Sequence, residues 1–184
     1  MNALFAAAAE IQDYLQRAGE RFCFIGGVAL QRWGEPRLTR DVDLTLLCPY
    51  GAESPAVENL LAAFSPRMPD AREFALQHRV LLLSATSGVP IDIAFGGIPF
   101  EEHAVARASE FDFGDVRLLT CSAEDLVVFK AFAGRERDWA DIESIAMRQS
   151  RRMNWTLIYQ ELTPLAELRG GAETIARLQR LQPA

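Results

Sequence analysis

The chain has 184 residues, of which 49% are apolar and 24% charged, and its 19 Lys and Arg against 25 Asp and Glu leave a net charge of −6. This is the composition of an ordinary globular protein, long enough for one domain with a real core. No apolar run is long enough to span a membrane, and the acidic balance argues against broad nucleic-acid coating, while leaving room for a local basic patch.

The first eighteen residues read as a helix, with Leu4, Ile11 and Leu15 at helical spacing and Gly19 as its stop. Glu10, Asp13 and Arg17 interrupt the apolar run, so it lacks the basic start and long apolar stretch of a signal peptide. A strand over 22–25 follows, then Gly26-Gly27, a helix over 28–33 and a strand over 41–47. Paired glycines after an apolar strand permit a turn with positive φ and a close approach of ligand to backbone. The N–H groups opening the helix near Val28 would face a phosphate.

Strand side chains alternate between faces, so Asp41 and Asp43 share one face and Val42 and Leu44 the other. Two carboxylates held that close repel unless a cation or proton lies between them, which makes a divalent metal the natural third party. Arg37, Thr39 and Arg40 precede them and offer charge and a hydroxyl to the same anion. The plainer reading is the solvated face of an edge strand whose acids are offset by the two arginines.

A helix over 55–64 is broken by the segment 65–70, and strands are expected near 74–77, 80–84 and 91–94. Asp92 stands alone among apolar residues in the last of these, so it must be paired, metal-bound or on the functional face of the sheet. A short helix over 100–108 and a strand over 116–119 complete an αβ core spanning 1–121. Residues 122–184 read as helical, broken at Asn154 and Gly170-Gly171, and are expected to pack on the core as one compact domain.

Ser122 with Asp125 three residues on has the spacing of a helix cap. In that helix Lys130 shares a face with Leu126, Val127 and Ala133, which buries its stem and sends its ammonium outward, either to a phosphate or simply to solvent. Asp138, in the segment Arg137-Asp138-x-x-Asp141 after Lys130, reads either as a functional acid or as the N-cap or first-turn acid of the next helix, with Asp141 completing the cap. Arg135, Arg137, Arg148, Arg151 and Arg152 form either a solvated helix face or a track for RNA beside the site. His78 and His103 have no second ligand at useful spacing, so no zinc site is indicated. Cys23, Cys48 and Cys121 sit in apolar contexts, as expected of buried reduced thiols in a cytoplasmic protein.

Taken together, Gly26-Gly27-x-Ala29, then Arg37-x-Thr39-x-Asp41-x-Asp43-Leu44, then a strand with the lone Asp92 resemble the nucleotidyltransferase superfamily with a polymerase-β-like palm. Within it the pattern is most similar to the AbiEii-type group, which includes nucleotidyltransferase toxins of toxin-antitoxin systems, and the resemblance covers roughly residues 20–145. It implies an α+β fold, a nucleotidyltransferase-like mixed β-sheet flanked by helices, with a helical C-terminal part. It implies that Asp41, Asp43 and Asp92 bind two Mg²⁺ ions, or Mn²⁺, and that the enzyme moves a nucleoside monophosphate from an NTP such as ATP to an acceptor hydroxyl. Asp92 would take the hydroxyl proton, while Gly26, Gly27, Arg37, Thr39, Arg40 and Lys130 would serve the triphosphate. Many members carry Gly-Ser where this chain has Gly26-Gly27, so backbone N–H groups or Thr39 would have to supply the missing contact. The acceptors implied are tRNA or another RNA, a protein side chain, or a small hydroxylated molecule such as an aminoglycoside. A cognate antitoxin is the implied partner. A different class of reading is a non-catalytic nucleotide-binding or interaction half of a two-component assembly.

Overall fold

The computed structural model describes residues 2–168 and 171–182, which form two compact units: Met1–Val28 with Leu38–Cys121, and Ala29–Arg37 with Ser122–Ala184. The division therefore assigns the segment 29–37 to the helical unit, away from its sequence neighbours.

In the first unit the order is α1 (Ala3–Arg17), β1 (Phe22–Phe24), the start of α2 (Gly26–Trp33), β2 (Val42–Leu47), α3 (Glu53–Ala63) and β3 (Ser65–Pro66). Then come α4 (Ala71–His78), β4 (Val80–Ser84), β5 (Pro90–Gly96), α5 (Pro99–Arg107), β6 (Ser109–Asp112) and β7 (Arg117–Thr120). Among the described residues the strands make one seven-stranded sheet in the order β3-β4-β5-β2-β1-β7-β6. The β2–β5 and β1–β7 pairs are parallel and the others antiparallel, which gives the mixed sheet flanked by helices that the resemblance implied.

Period-two alternation divides the sheet into two faces. Val42, Leu44 and Leu46 on β2, Ile91, Ile93 and Phe95 on β5, and Leu81 and Leu83 on β4 join Ala7, Ile11 and Leu15 of α1 and Val57 and Leu60 of α3 in one buried cluster. Removing each such side chain from water contributes about 1.5–3 kcal/mol. Asp41, Asp43 and Asp92, by the same alternation, stand on the opposite face. The acids are thus carried on the face of the sheet opposite the buried cluster.

Two expectations are corrected. The segment expected to form a strand near 74–77 lies in helix α4, where Ala71 and Ala75 are buried and Phe74 half-buried, the i, i+3, i+4 spacing of a helix face. It ends because Arg79 adopts the left-handed conformation at φ 56° and its N–H bonds the Ala75 carbonyl. Arg79 is held there by its side chain, which donates to the Phe95 and Cys48 carbonyls, pairs with Glu53 and lies 4.0 Å over the Tyr50 ring. The second correction is the pair of strands β3, in the segment expected only to break a helix, and β6, which the sequence did not suggest because all their residues are exposed and no alternation marks them.

The helical unit contains α6 (Ala123–Ala133), α7 (Glu136–Gln149), a 3-10 turn at 150–152, α8 (Trp155–Glu167) and α9 (Ala172–Leu181). Ser122 caps α6 as its spacing predicts: its Oγ accepts from the Asp125 N–H at 3.0 Å and donates to Asp125 Oδ2 at 2.6 Å. Asn154 caps α8 by accepting from the Leu157 N–H at 3.1 Å. Gly171 precedes α9, while Gly170, the other half of the expected break, lies outside the described residues. The three cysteines are buried free thiols, and burial pushes the Cys48 thiol up, against the pull of nearby Arg79. No helix among the described residues is long and apolar enough to cross a membrane.

Leu44→Ala should cost about 2–5 kcal/mol in urea unfolding, because Leu44 is fully buried where β1, β2 and β5 meet. Leu38→Ala, at an 80% exposed position, should stay within about 0.5 kcal/mol of wild type.

Candidate active site

The site is built by strand register. β2 and β5 run parallel with Asp43 opposite Asp92, which sets two carboxylates side by side on one face, and Asp41 lies two residues before Asp43 on that face. One oxygen from each of Asp41, Asp43 and Asp92 lies within 4.8 Å of the others, and all three residues are partly buried. Three hard oxygen donors converging from two strands are the ligand type and spacing that a divalent cation of the Mg²⁺ class takes.

Asp92 feels this crowding. Burial pushes its carboxyl up, the Arg67 guanidinium pulls it down, and the charge of Asp41 pushes it up again, with a raised value as the result. Arg67 Nη2 forms an ion pair with Asp92 Oδ1.

Gly26 and Gly27 form the second wall. Gly26 has φ +55°, and a Cβ there would overlap Asp43 Oδ2. The Gly27 N–H points to Asp43 Oδ2 at 3.4 Å, and a Cβ on Gly27 would overlap the Thr39 hydroxyl. Helix α2 begins at Gly26, two residues earlier than its expected start near Val28, so the backbone donors come directly against the acids. Thr39 Oγ1 donates to Asp41 Oδ1 at 3.0 Å, so it orients a carboxylate. Arg40 is exposed beside Asp41 in the chain.

Arg37 and Lys130 belong to the helical unit, where both reach Asp141. Arg37 grips it with two bonds of 2.9 Å from Nε and Nη2, and Lys130 Nζ donates to Asp141 Oδ2 at 2.6 Å and lies 3.5 Å from Asp138 Oδ1. Lys130, the single lysine of the sequence, is 5% exposed, so its ammonium turns inward where the helix pattern suggested that it reaches out. Asp138 is buried in the first turn of α7 and accepts from Arg135 Nε at 2.6 Å. Asp141 caps nothing: it is the acceptor of the cluster. Burial alone would raise its pKa, but the bonds from Arg37 and Lys130 outweigh burial and hold it below the usual carboxylate range. The signal for this role was the acid itself, three residues beyond Asp138 on one helix face, with the only lysine upstream. Arg67 and the Asp43–Asp92 register carried no sequence signal, since both arise from pairing between distant segments.

The family described as "Nucleotidyl transferase AbiEii toxin, Type IV TA system" matches residues 13–162. The chain belongs to this AbiEii nucleotidyltransferase family. The match spans the acid-bearing strands, the Gly-Gly turn and the Lys130–Asp141 cluster. No curated protein matches the chain. Among the solved structures that share the fold are two that this chain covers almost end to end. One is an antigenic nucleotidyltransferase-like protein from Paracoccidioides brasiliensis, at 16% identity and TM-score 0.54, covering 95% of this chain and 91% of that one. The other is the antibiotic-resistance factor ANT(2'')-Ia, at 14% identity and TM-score 0.56, covering 95% and 96%.

Three outcomes test this account of the AbiEii-family site. Gly26→Ala should lower stability by about 1–2 kcal/mol in urea unfolding, because its backbone is left-handed and the new methyl must displace Asp43. Asp141→Asn should cost more, about 3–5 kcal/mol, by removing the carboxylate that Lys130 and Arg37 share. For Asp92 the folded state holds the proton more tightly than the unfolded chain, so ionisation opposes folding. Wild type should therefore lose stability relative to Asp92→Asn as pH rises from the ordinary carboxylate range through the raised pKa. Denaturation midpoints of both proteins across mildly acidic and neutral pH check the sign.

Proposed function

We propose that this AbiEii-family protein is a metal-dependent nucleotidyltransferase that moves a nucleoside monophosphate from an NTP to a hydroxyl of an RNA acceptor. The convergence of Asp41, Asp43 and Asp92 beside a glycine turn carries the reading. These oxygens suit Mg²⁺ or Mn²⁺, and Arg67 already brings a positive charge to one of them. Divalent cations held there would neutralise the triphosphate and acidify the attacking hydroxyl.

The chain's own groups then have distinct tasks. Asp41 and Asp43 hold the charge that receives the cations, and Thr39 fixes the Asp41 carboxylate by its hydrogen bond. Gly26 and Gly27, having no side chains, let the Asp43 carboxylate and the Thr39 hydroxyl come up against the backbone that opens α2, whose N–H groups would serve the triphosphate. Asp92, with its pKa raised by burial, is the group suited to receive the proton of the acceptor hydroxyl. In the helical unit Arg37 and Lys130 are both held on Asp141, which suits them to ordering that unit. Arg40 offers an exposed charge to the same anion.

An RNA acceptor is supported by the toxin-antitoxin character of the family and by Arg137, Arg151 and Arg152, which are exposed on the helical unit. A protein antitoxin would be the matching partner.

Thermal melting with each NTP, with and without Mg²⁺, tests the core of the reading without knowledge of the acceptor. At about a hundred times its Kd the NTP should add about 2.7 kcal/mol, or roughly 5–11 °C, to wild type with Mg²⁺ present and nothing to Asp43→Asn. Incubation with total tRNA should then release pyrophosphate from wild type alone. Labelling of an aminoglycoside in place of RNA would move the assignment to a small-molecule transferase.

A further inference from the structure

Asp92 has a resident counterion, Arg67, whose identity neither the motifs nor the strand pattern indicates. The Arg67 N–H bonds the Leu82 carbonyl at 3.0 Å, just where β3 ends. Leu82 on β4 stands opposite Asp92 on β5, and Asp92 stands opposite Asp43 on β2. Arg67, Leu82, Asp92 and Asp43 therefore form one row across the sheet, with the arginine anchored by its backbone at the end of the row of acids. Its guanidinium reaches along the row to Asp92 Oδ1, and the two side chains are 27% and 33% exposed. The arginines that follow it are committed elsewhere, Arg72 to Glu58 and Arg79 to Glu53.

This geometry places a monovalent charge on Asp92, the carboxylate on the β5 side of the acid cluster. Resting on the proposed nucleotidyltransferase reading, we infer that Arg67 competes with the divalent cation for Asp92. A cation taking Asp92 Oδ1 must displace the guanidinium, and one taking Oδ2 meets its charge across the same carboxylate. Because the side chain is partly solvated and tethered only at its backbone, the displaced guanidinium can swing into water without unfolding any element. Arg67 is thus a positioning residue that sets the affinity of the acid cluster for its cation: it neutralises Asp92 while the site is empty and weakens cation binding when one arrives.

Manganese titration followed by electron paramagnetic resonance of the free ion, on the full chain without nucleotide, tests this directly. Arg67→Gln should bind Mn²⁺ about two- to five-fold more tightly than wild type, the scale of a partly exposed ion pair. Arg67→Lys, which keeps the charge, should stay near wild type. Melting curves of the same samples verify that each variant is folded. Wild-type or weaker affinity in Arg67→Gln, with wild-type binding still lost in Asp43→Asn, overturns the competition while leaving the acid cluster a cation site. Absence of Mn²⁺ binding in every protein overturns both the competition and the reading on which it rests.

Discussion

The parallel register of β2 and β5 is the constraint on which the site depends. Putting Asp43 opposite Asp92 forces like charges together, which the fold tolerates only because the reverse face of the same strands is fully committed to the core. Val42, Leu44, Ile91 and Ile93 are all 0% exposed. A one-residue slip would turn these into solvent and drive the aspartates into the core, so the register is specified by the hydrophobic face and the acids are carried along with it. The raised pKa of Asp92 is the residue of that bargain: a carboxylate kept partly dry and beside Asp41, with one arginine as compensation.

Much of this was legible in the sequence, and the reasons are local. Period-two alternation placed Asp41 and Asp43 on one face, the Gly26-Gly27 pair marked the turn, and Ser122 with Asp125 marked the start of α6. What was not legible depended on pairing between distant segments. The Asp43–Asp92 register joins residues 49 apart in sequence and Arg67 reaches Asp92 across 25. The region near 74–77 reads as a strand because a two-turn helix of mixed polarity, Ala71–His78, offers too short a window to separate the two periods. Helical spacing puts Lys130 on the right helix but cannot give the direction of its ammonium, since its partner Asp141 lies on the following helix.

The Lys130–Asp141–Arg37 cluster shows the same principle in the helical unit. A buried ammonium is costly, and it persists here because Asp141 accepts from it and from both arms of Arg37. Arg37 comes from the segment 29–37 and Asp141 from α7, so one ion cluster ties together the two sequence-distant parts of that unit.

The central claim is that Asp41, Asp43 and Asp92 share a divalent cation next to the Gly26-Gly27 turn. The most direct measurement is a crystal structure of the protein with Mn²⁺ and a non-hydrolysable NTP, read by anomalous scattering. The account predicts manganese peaks within bonding distance of carboxylate oxygens of all three aspartates, with the triphosphate against the backbone of Gly27. Nucleotide bound elsewhere on the chain, or manganese that leaves these three carboxylates untouched, would contradict it.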